Sequence, residues 1–188
     1  MFQKIIYDDE QTYKKLIVVD KTSTTRITPQ VPADGLVTAQ SGVGLMLPIA
    51  DCVATVIYDP GTRQLAVLHL GRHSTLTTLL KDTITHLHMR GSNIGDILVW
   101  MSPSAQQNSY VLEYFDYADT KAWKAFCHKS SEGIRIDLSG YNRQVCLDLG
   151  ILAQNIEVSS IDTFKNFEYF SHSRGDATKR FVAVAMML

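Results

Sequence analysis

The strongest local constraint in this chain is the tetrapeptide Asp59-Pro60-Gly61-Thr62. Proline presets its own φ and glycine reaches φ > 0 without steric cost, so Pro-Gly reverses the chain. On either side lie β-rich runs, Cys52 to Tyr58 and Gln64 to His69. Together they predict a β-hairpin. If Asp59 faces Thr62, then Tyr58 faces Arg63, Val56 faces Leu65, Ala54 faces Val67 and Cys52 faces His69. Residues directly opposed in a ladder have Cβ atoms about 4.5–5.5 Å apart on one face. The register therefore brings a thiol and an imidazole together.

That pair supports two chemistries. The imidazole can accept the thiol proton and leave a thiolate nucleophile, with Cys52 as nucleophile and His69 as base. Alternatively, both side chains can ligate zinc, which takes thiolate and neutral imidazole and needs a third protein ligand in a catalytic site. The plainer reading is a small buried cysteine beside a satisfied sheet histidine. The adjacency itself argues for a site. The chain has three cysteines, Cys52, Cys127 and Cys146, and no C-x-x-C. That set is no disulfide framework and fits a cytoplasmic protein with free thiols.

The rest of the chain reads as one α+β domain over residues 1–188, with mixed sheets flanked by helices. Lys4 to Tyr7, Leu16 to Val19, Val43 to Pro48, Ile97 to Met101, Ile156 to Ser160 and Phe181 to Met187 read as further strands, the last buried on both faces. Leu76, Leu79, Leu80, Ile84 and Leu87 form one helical stripe, with Ser74 as a cap and Gly91 as a stop. Helices are also expected over Ala118 to His128 and from about Gly140 to Leu149. Strands and helices do not alternate strictly, which excludes a doubly wound sheet. Hydrophobic residues make up 45% and the net charge is −1, so disorder and a general pull toward nucleic acid are excluded. No apolar run approaches a membrane span of about 20 residues, and the first residues lack a signal-peptide core.

Other candidates carry less. Arg174, Lys179 and Arg180 can bind an anion, or form a solvated basic surface. Asp51 precedes Cys52 and is expected on the opposite sheet face, in a structural or supporting role. His172 is read as packing or hydrogen bonding locally. His86 and His88 sit at i and i+2 of a helix, on different faces, so they make a poor metal pair. With the remaining histidines scattered, a multicopper centre is not favoured. Cys127 and Cys146 read as buried residues, and Trp100 and Trp123 as packing residues. Neither a P-loop nor a dinucleotide fingerprint occurs.

Ordered motifs then come into view. Ala33-Asp34-Gly35-Leu36-Val37-Thr38, Ala50-Asp51-Cys52 and His69-Leu70-Gly71-Arg72-His73 resemble A-D-[AG]-L-V-T, A-D-C and H-A-G-W-R-G of the YfiH or laccase-domain family. Ser102-Pro103-Ser104 with Tyr110-Val111-Leu112-Glu113, Asp137-Leu138, Leu149-Gly150-Ile151, Phe170-Ser171-His172-Ser173-Arg174 and Thr178-Lys179-Arg180-Phe181 continue the resemblance to the C-terminus. It implies an α+β fold related to the catalytic domain of cytotoxic necrotizing factor toxins. It also implies zinc-dependent purine nucleoside phosphorylase or adenosine deaminase activity. The family was first labelled polyphenol oxidase or laccase, and a peptidoglycan-editing role has been assigned within it.

Three departures stand out. Val18-Val19-Asp20-Lys21 falls where Q-V-H-G is expected, so the resemblance implies Asp20, Cys52 and His69 as metal ligands. A carboxylate can ligate zinc, but it alters the site's charge. Arg72-His73 replaces Trp-Arg in the implied substrate-binding stretch. The chain also starts close to the first motif, where the family usually has more N-terminal structure. The leading expectation is a zinc enzyme acting on a purine nucleoside and phosphate, with Arg72, His73, Arg174 and Arg180 as substrate-binding candidates. A metal-free Cys–His hydrolase or amidase is the second, and a catalytically impaired binding protein the third.

Overall fold

Residues 4–6, 15–18 and 33–188 are described by the computed structural model of the chain. Its strands are β1 Lys4–Ile6, β2 Lys15–Val18, β3 Gly35–Thr38, β4 Gly44–Ile49, β5 Val53–Asp59, β6 Gln64–Leu70, β7 Leu98–Met101, β8 Val111–Leu112, β9 Cys127–Ser130, β10 Gly133–Ile136, β11 Ile156–Val158 and β12 Phe181–Met186. Helices α1, α2 and α3 span Arg72–Leu76, Leu79–Met89 and Leu138–Asp148. Seven strands form one mixed sheet in the order β1-β2-β3-β6-β5-β7-β11. A second sheet has the order β8-β10-β9, and β12 pairs with β4 as a separate ribbon.

Side-chain alternation explains the layers. Val53 and Ile57 of β5 and Ala66, Leu68 and Leu70 of β6 face Leu80, Ile84 and Leu87 of α2 and Cys146 of α3 in the main core. Leu65 and Val67 turn the other way and pack with Leu45 and Met187 against the ribbon. Ala54 joins Ile49 and Ala183 nearby, with Cys52 at the edge of that cluster. The two central strands are thus covered on both faces. Each fully buried Leu, Ile or Val contributes about 1.5–3 kcal/mol, so this double burial pins the register of β5 and β6.

The hairpin forms, with a correction to its register. Asp59 pairs with Gln64 rather than Thr62, so residues 60–63 make a longer loop. Arg63 closes it with φ 52°, a left-handed conformation that the expected tight turn did not require. The Asp59 carboxylate accepts from the backbone N–H groups of Gly61 and Thr62 and from the Thr62 hydroxyl. These bonds satisfy a turn that buries its first residue to 1% exposure. Every cross-strand partner moves by two residues, and Ala54 rather than Cys52 sits opposite His69. A shift of one would have turned each side chain to the other face, whereas a shift of two preserves the faces.

Other expectations change as well. The span Ala118 to His128 is not an α-helix: turns lead into a short 3-10 segment at Lys124–Phe126 and then β9. Trp123 is buried and stacks on Tyr141 at 3.7 Å between centroids, while Cys127 to Ser130 are held by β10. Tertiary packing and strand pairing override the helical spacing. Strand β12 is covered on one face only, with Val184 64% exposed. Trp100 lies at the surface rather than in the core. Ser74 is not the residue before the helix. The expected helix is two, α1 after Gly71 and α2 after Thr78, and Ser74 accepts from the Gly71 N–H at 2.8 Å from inside α1. The run 35–38, quoted only as a motif, is a strand between β2 and β6.

Replacing Asp59 by Ala strands the N–H groups of Gly61 and Thr62 and is expected to cost about 2 kcal/mol. A urea melt reads this as a lower midpoint with an unchanged slope.

Candidate functional site

Three residues lie in a row across three neighbouring strands. Gly35 of β3 pairs with Leu68 of β6, so Asp34, one step before β3, falls opposite His69. Cys52, one step before β5, falls on the other side of the same histidine. The His69 N–H donates to the Asp34 carbonyl at 2.7 Å, and His69 Nδ1 meets Asp34 Oδ1 at 3.1 Å. The other ring nitrogen, Nε2, and the Cys52 sulfur both face the space over Gly71. The sequence register had brought Cys52 and His69 directly opposite. The structure brings them together diagonally, because both side chains lean toward Gly71.

Gly71 makes that approach feasible. A Cβ built on it would stand 2.9 Å from Cys52 Sγ and 3.5 Å from His69 Nε2. Any side chain here would fill the space in which the sulfur and the nitrogen converge. The chain then turns at once into α1, with Ser74 Oγ donating to the His69 carbonyl at 2.6 Å.

The electrostatics follow from this geometry. The hydrogen bond to Asp34, and next the one to Cys52, raise the His69 pKa to about 10 against the opposing pull of burial. The ring is therefore protonated near neutral pH, with a carboxylate on one side and a sulfur on the other. Tyr110 stands close by. Burial first, and the charge of Cys52 second, push its phenol up to about 12, with Arg72 opposing. Its hydroxyl remains a proton donor.

These groups open into a cavity of about 650 Å³. Asp34, Cys52, His69 and Gly71 form its floor, Arg72 and His73 come from α1, Tyr110, Val111 and Leu112 from β8 and the residue before it, and His172 and Ser173 from the C-terminal loop. Val111 and Leu112 give one apolar wall, while Arg72, His73 and His172 supply the basic groups.

The sequence candidates divide accordingly. Cys52, His69, Arg72 and His73 come together around the cavity. Arg174 and Arg180, expected to bind an anion, are not among the residues that line it. The Arg174 guanidinium donates to the carbonyls of Thr163, Phe164, Asn166 and Tyr169 and to the Asp176 carboxylate. Its donors organise the C-terminal loop. Arg180 donates to the carbonyls of Asp176, Ala177 and Lys179 at the surface. Asp20 lies outside the described residues. Asp51 is not on the opposite sheet face, because its φ of 74° breaks the strand alternation before Cys52. Cys146 is buried and its thiol is pushed up to about 12 by that burial. Among the cavity residues not named as site residues are Asp34 and Tyr110, quoted only within motifs, and His172, read as packing. The signal for Asp34 was its position at the head of a β run antiparallel to β6.

Among the described residues no group of three His, Cys, Asp or Glu side chains forms a metal site. The pair that is described still has the right chemistry. A cysteine sulfur and an imidazole nitrogen converge over a missing Cβ, and a carboxylate holds the far ring nitrogen, an arrangement zinc sites use. No helix among the described residues is long and apolar enough to cross a membrane.

Comparison with known proteins agrees with the motifs. The family model described as multi-copper polyphenol oxidoreductase laccase matches residues 5–188. Purine nucleoside phosphorylase Cj1217c of Campylobacter jejuni is 25% identical over 189 residues, covering 98% of this chain and 78% of that protein. Purine nucleoside phosphorylase YlmD of Bacillus subtilis is 28% identical over 152 residues, covering 78% of this chain and 55% of that protein. The chain thus spans little more than half the length of YlmD. The crystal structure of YfiH from Bacillus licheniformis superposes with a TM-score of 0.72 at 27% identity, covering 83% of this chain and 62% of that one. The mixed sheets, the motif order and these matches lead to one conclusion: the chain belongs to the multi-copper polyphenol oxidoreductase laccase family.

Proposed function

We propose that this chain is a zinc-dependent purine nucleoside phosphorylase, with Cys52, His69 and Asp20 as the metal ligands. The observation that carries the reading is the Asp34–His69–Cys52 row on the cavity floor. Zinc favours this soft thiolate and imidazole set, and the six histidines of the chain are too dispersed for a copper cluster. When bound, the metal supplies Lewis acidity to an oxygen or nitrogen of the reactants.

The chain's own residues account for the rest. Asp34 holds Nδ1 and so presents Nε2 to the metal position. Val111 and Leu112 offer an apolar surface for the purine. Arg72, with His73 beside it in the same wall, is assigned to phosphate. The Tyr110 hydroxyl is a donor placed to protonate or hydrogen-bond the departing base. In the reaction a phosphate oxygen bonds to C1′ of the ribose, the C1′–N9 bond breaks, and the base leaves with a proton. Deamination of adenosine, which the family resemblance also implies, would use water in place of phosphate.

A metal-free thiol hydrolase is the second reading. It is favoured by the carboxylate–imidazole–thiol order, which also activates a cysteine nucleophile. Metal analysis separates the two. About one zinc per chain, absent in Cys52→Ala, with inosine cleaved only when phosphate is present, supports the phosphorylase. A metal-free protein whose Cys52 is rapidly alkylated by iodoacetamide supports the hydrolase.

Two quantitative outcomes follow from the geometry. Asp34→Ala frees the His69 ring and should weaken zinc binding about 10- to 100-fold, measured by competition with a chromophoric chelator. Zinc must also displace the proton that His69 keeps up to about pH 10. Apparent affinity should therefore rise at least about tenfold per pH unit between pH 6 and 8, for at least one displaced proton. A flat profile would exclude His69 as a ligand.

A further inference from the structure

Asp51 joins three distant parts of the chain immediately before the site. Its backbone is left-handed, with φ 74°, a conformation that only Gly, Asn and Asp visit readily. Its carbonyl accepts from Ala105 N–H at 2.9 Å. Its Oδ1 accepts from the Thr163 hydroxyl at 2.8 Å, and its Oδ2 from the Ser173 N–H at 2.7 Å. The residue is 7% exposed, and Thr163 is fully buried.

The loop that it grips is itself rigid. Arg174 gathers the carbonyls of residues 163–169 and the Asp176 carboxylate around one guanidinium, and Asp176 in turn accepts from Ser171 N–H. His172 and Ser173 of this loop form one wall of the cavity. Arg174 thus sets the loop's internal shape, and the Asp51 carboxylate ties that shape to the residue beside Cys52. Both carboxylate oxygens are used, each by a different donor, and no other side chain of this length offers two such acceptors.

We propose that Asp51 is a positioning residue. Its left-handed backbone aims the Cys52 thiol, and its two hydrogen bonds fix the His172–Ser173 wall at a set distance from that thiol. The role deepens the phosphorylase reading, because thiol and wall are then two sides of one substrate pocket.

Thr163→Val tests this most cleanly. Thr163 does not line the cavity, and the substitution removes only the hydroxyl that Oδ1 accepts from. The expected result, well below the unfolding midpoint, is a KM for inosine raised at least fivefold with kcat changed less. Thr163→Ser, which keeps the hydroxyl, should restore the wild-type KM. Asp51→Gly keeps the backbone conformation accessible but drops both side-chain bonds, and should combine the higher KM with a changed rate of Cys52 alkylation by iodoacetamide in the chelator-treated protein. If Asp51→Gly fails to fold, the Thr163 pair decides. If the wild-type protein does not cleave inosine, the phosphorylase reading fails separately. The alkylation rates of the wild-type and Thr163→Val proteins then decide, a changed rate supporting the proposal. Wild-type KM in Thr163→Val, or in the inactive case a wild-type alkylation rate, would overturn it.

Discussion

The double pairing of β6 holds this molecule together. It lies between β3 and β5 in the main sheet, with helices over one face and the β4–β12 ribbon over the other. A strand buried on both faces and paired on both edges has little freedom to slip. Its last turn-facing residues inherit that rigidity. His69, one residue from the end of β6, is therefore held by the ladder itself, with Asp34 supplied by one neighbouring strand and Cys52 by the other. Side chains on a fixed sheet end can keep a demanding geometry that a free loop would blur.

The charge balance of the site is equally local. A protonated imidazole beside a carboxylate and a sulfur gives the cavity floor its own charge balance. The glycine at position 71 leaves the room in which the sulfur and the ring nitrogen converge.

Much of this was legible in the sequence through periodicity. Pro60-Gly61 announced the hairpin, and the parity of the β runs put Cys52 and His69 on one face even though the loop is longer than expected. The extra length came from Asp59 and Arg63: a side-chain cap on two N–H groups and a left-handed closing residue, neither of which hydrophobic alternation records. The segment around Trp123, expected as a helix, is instead shaped by aromatic stacking on Tyr141, a long-range contact. Asp34 and Asp51 show the same limit. Each acts through partners 35 to 122 residues away, and sequence proximity gives no hint of them beyond the motifs in which they sit.

The ribbon divides its labour by row. Leu45, Ile49 and Ala183 face inward and carry the packing, while Met46, Val182, Val184 and Met186 stand in water at 61%, 47%, 64% and 50% exposure. No charge interrupts the outer row, since Val182, Val184 and Met186 pair with Pro48, Met46 and Gly44. Excluded anions such as phosphate and sulfate strengthen the association of apolar surface. The outer row is thus the surface on which such salts act most, and it is built from side chains that the packing does not use.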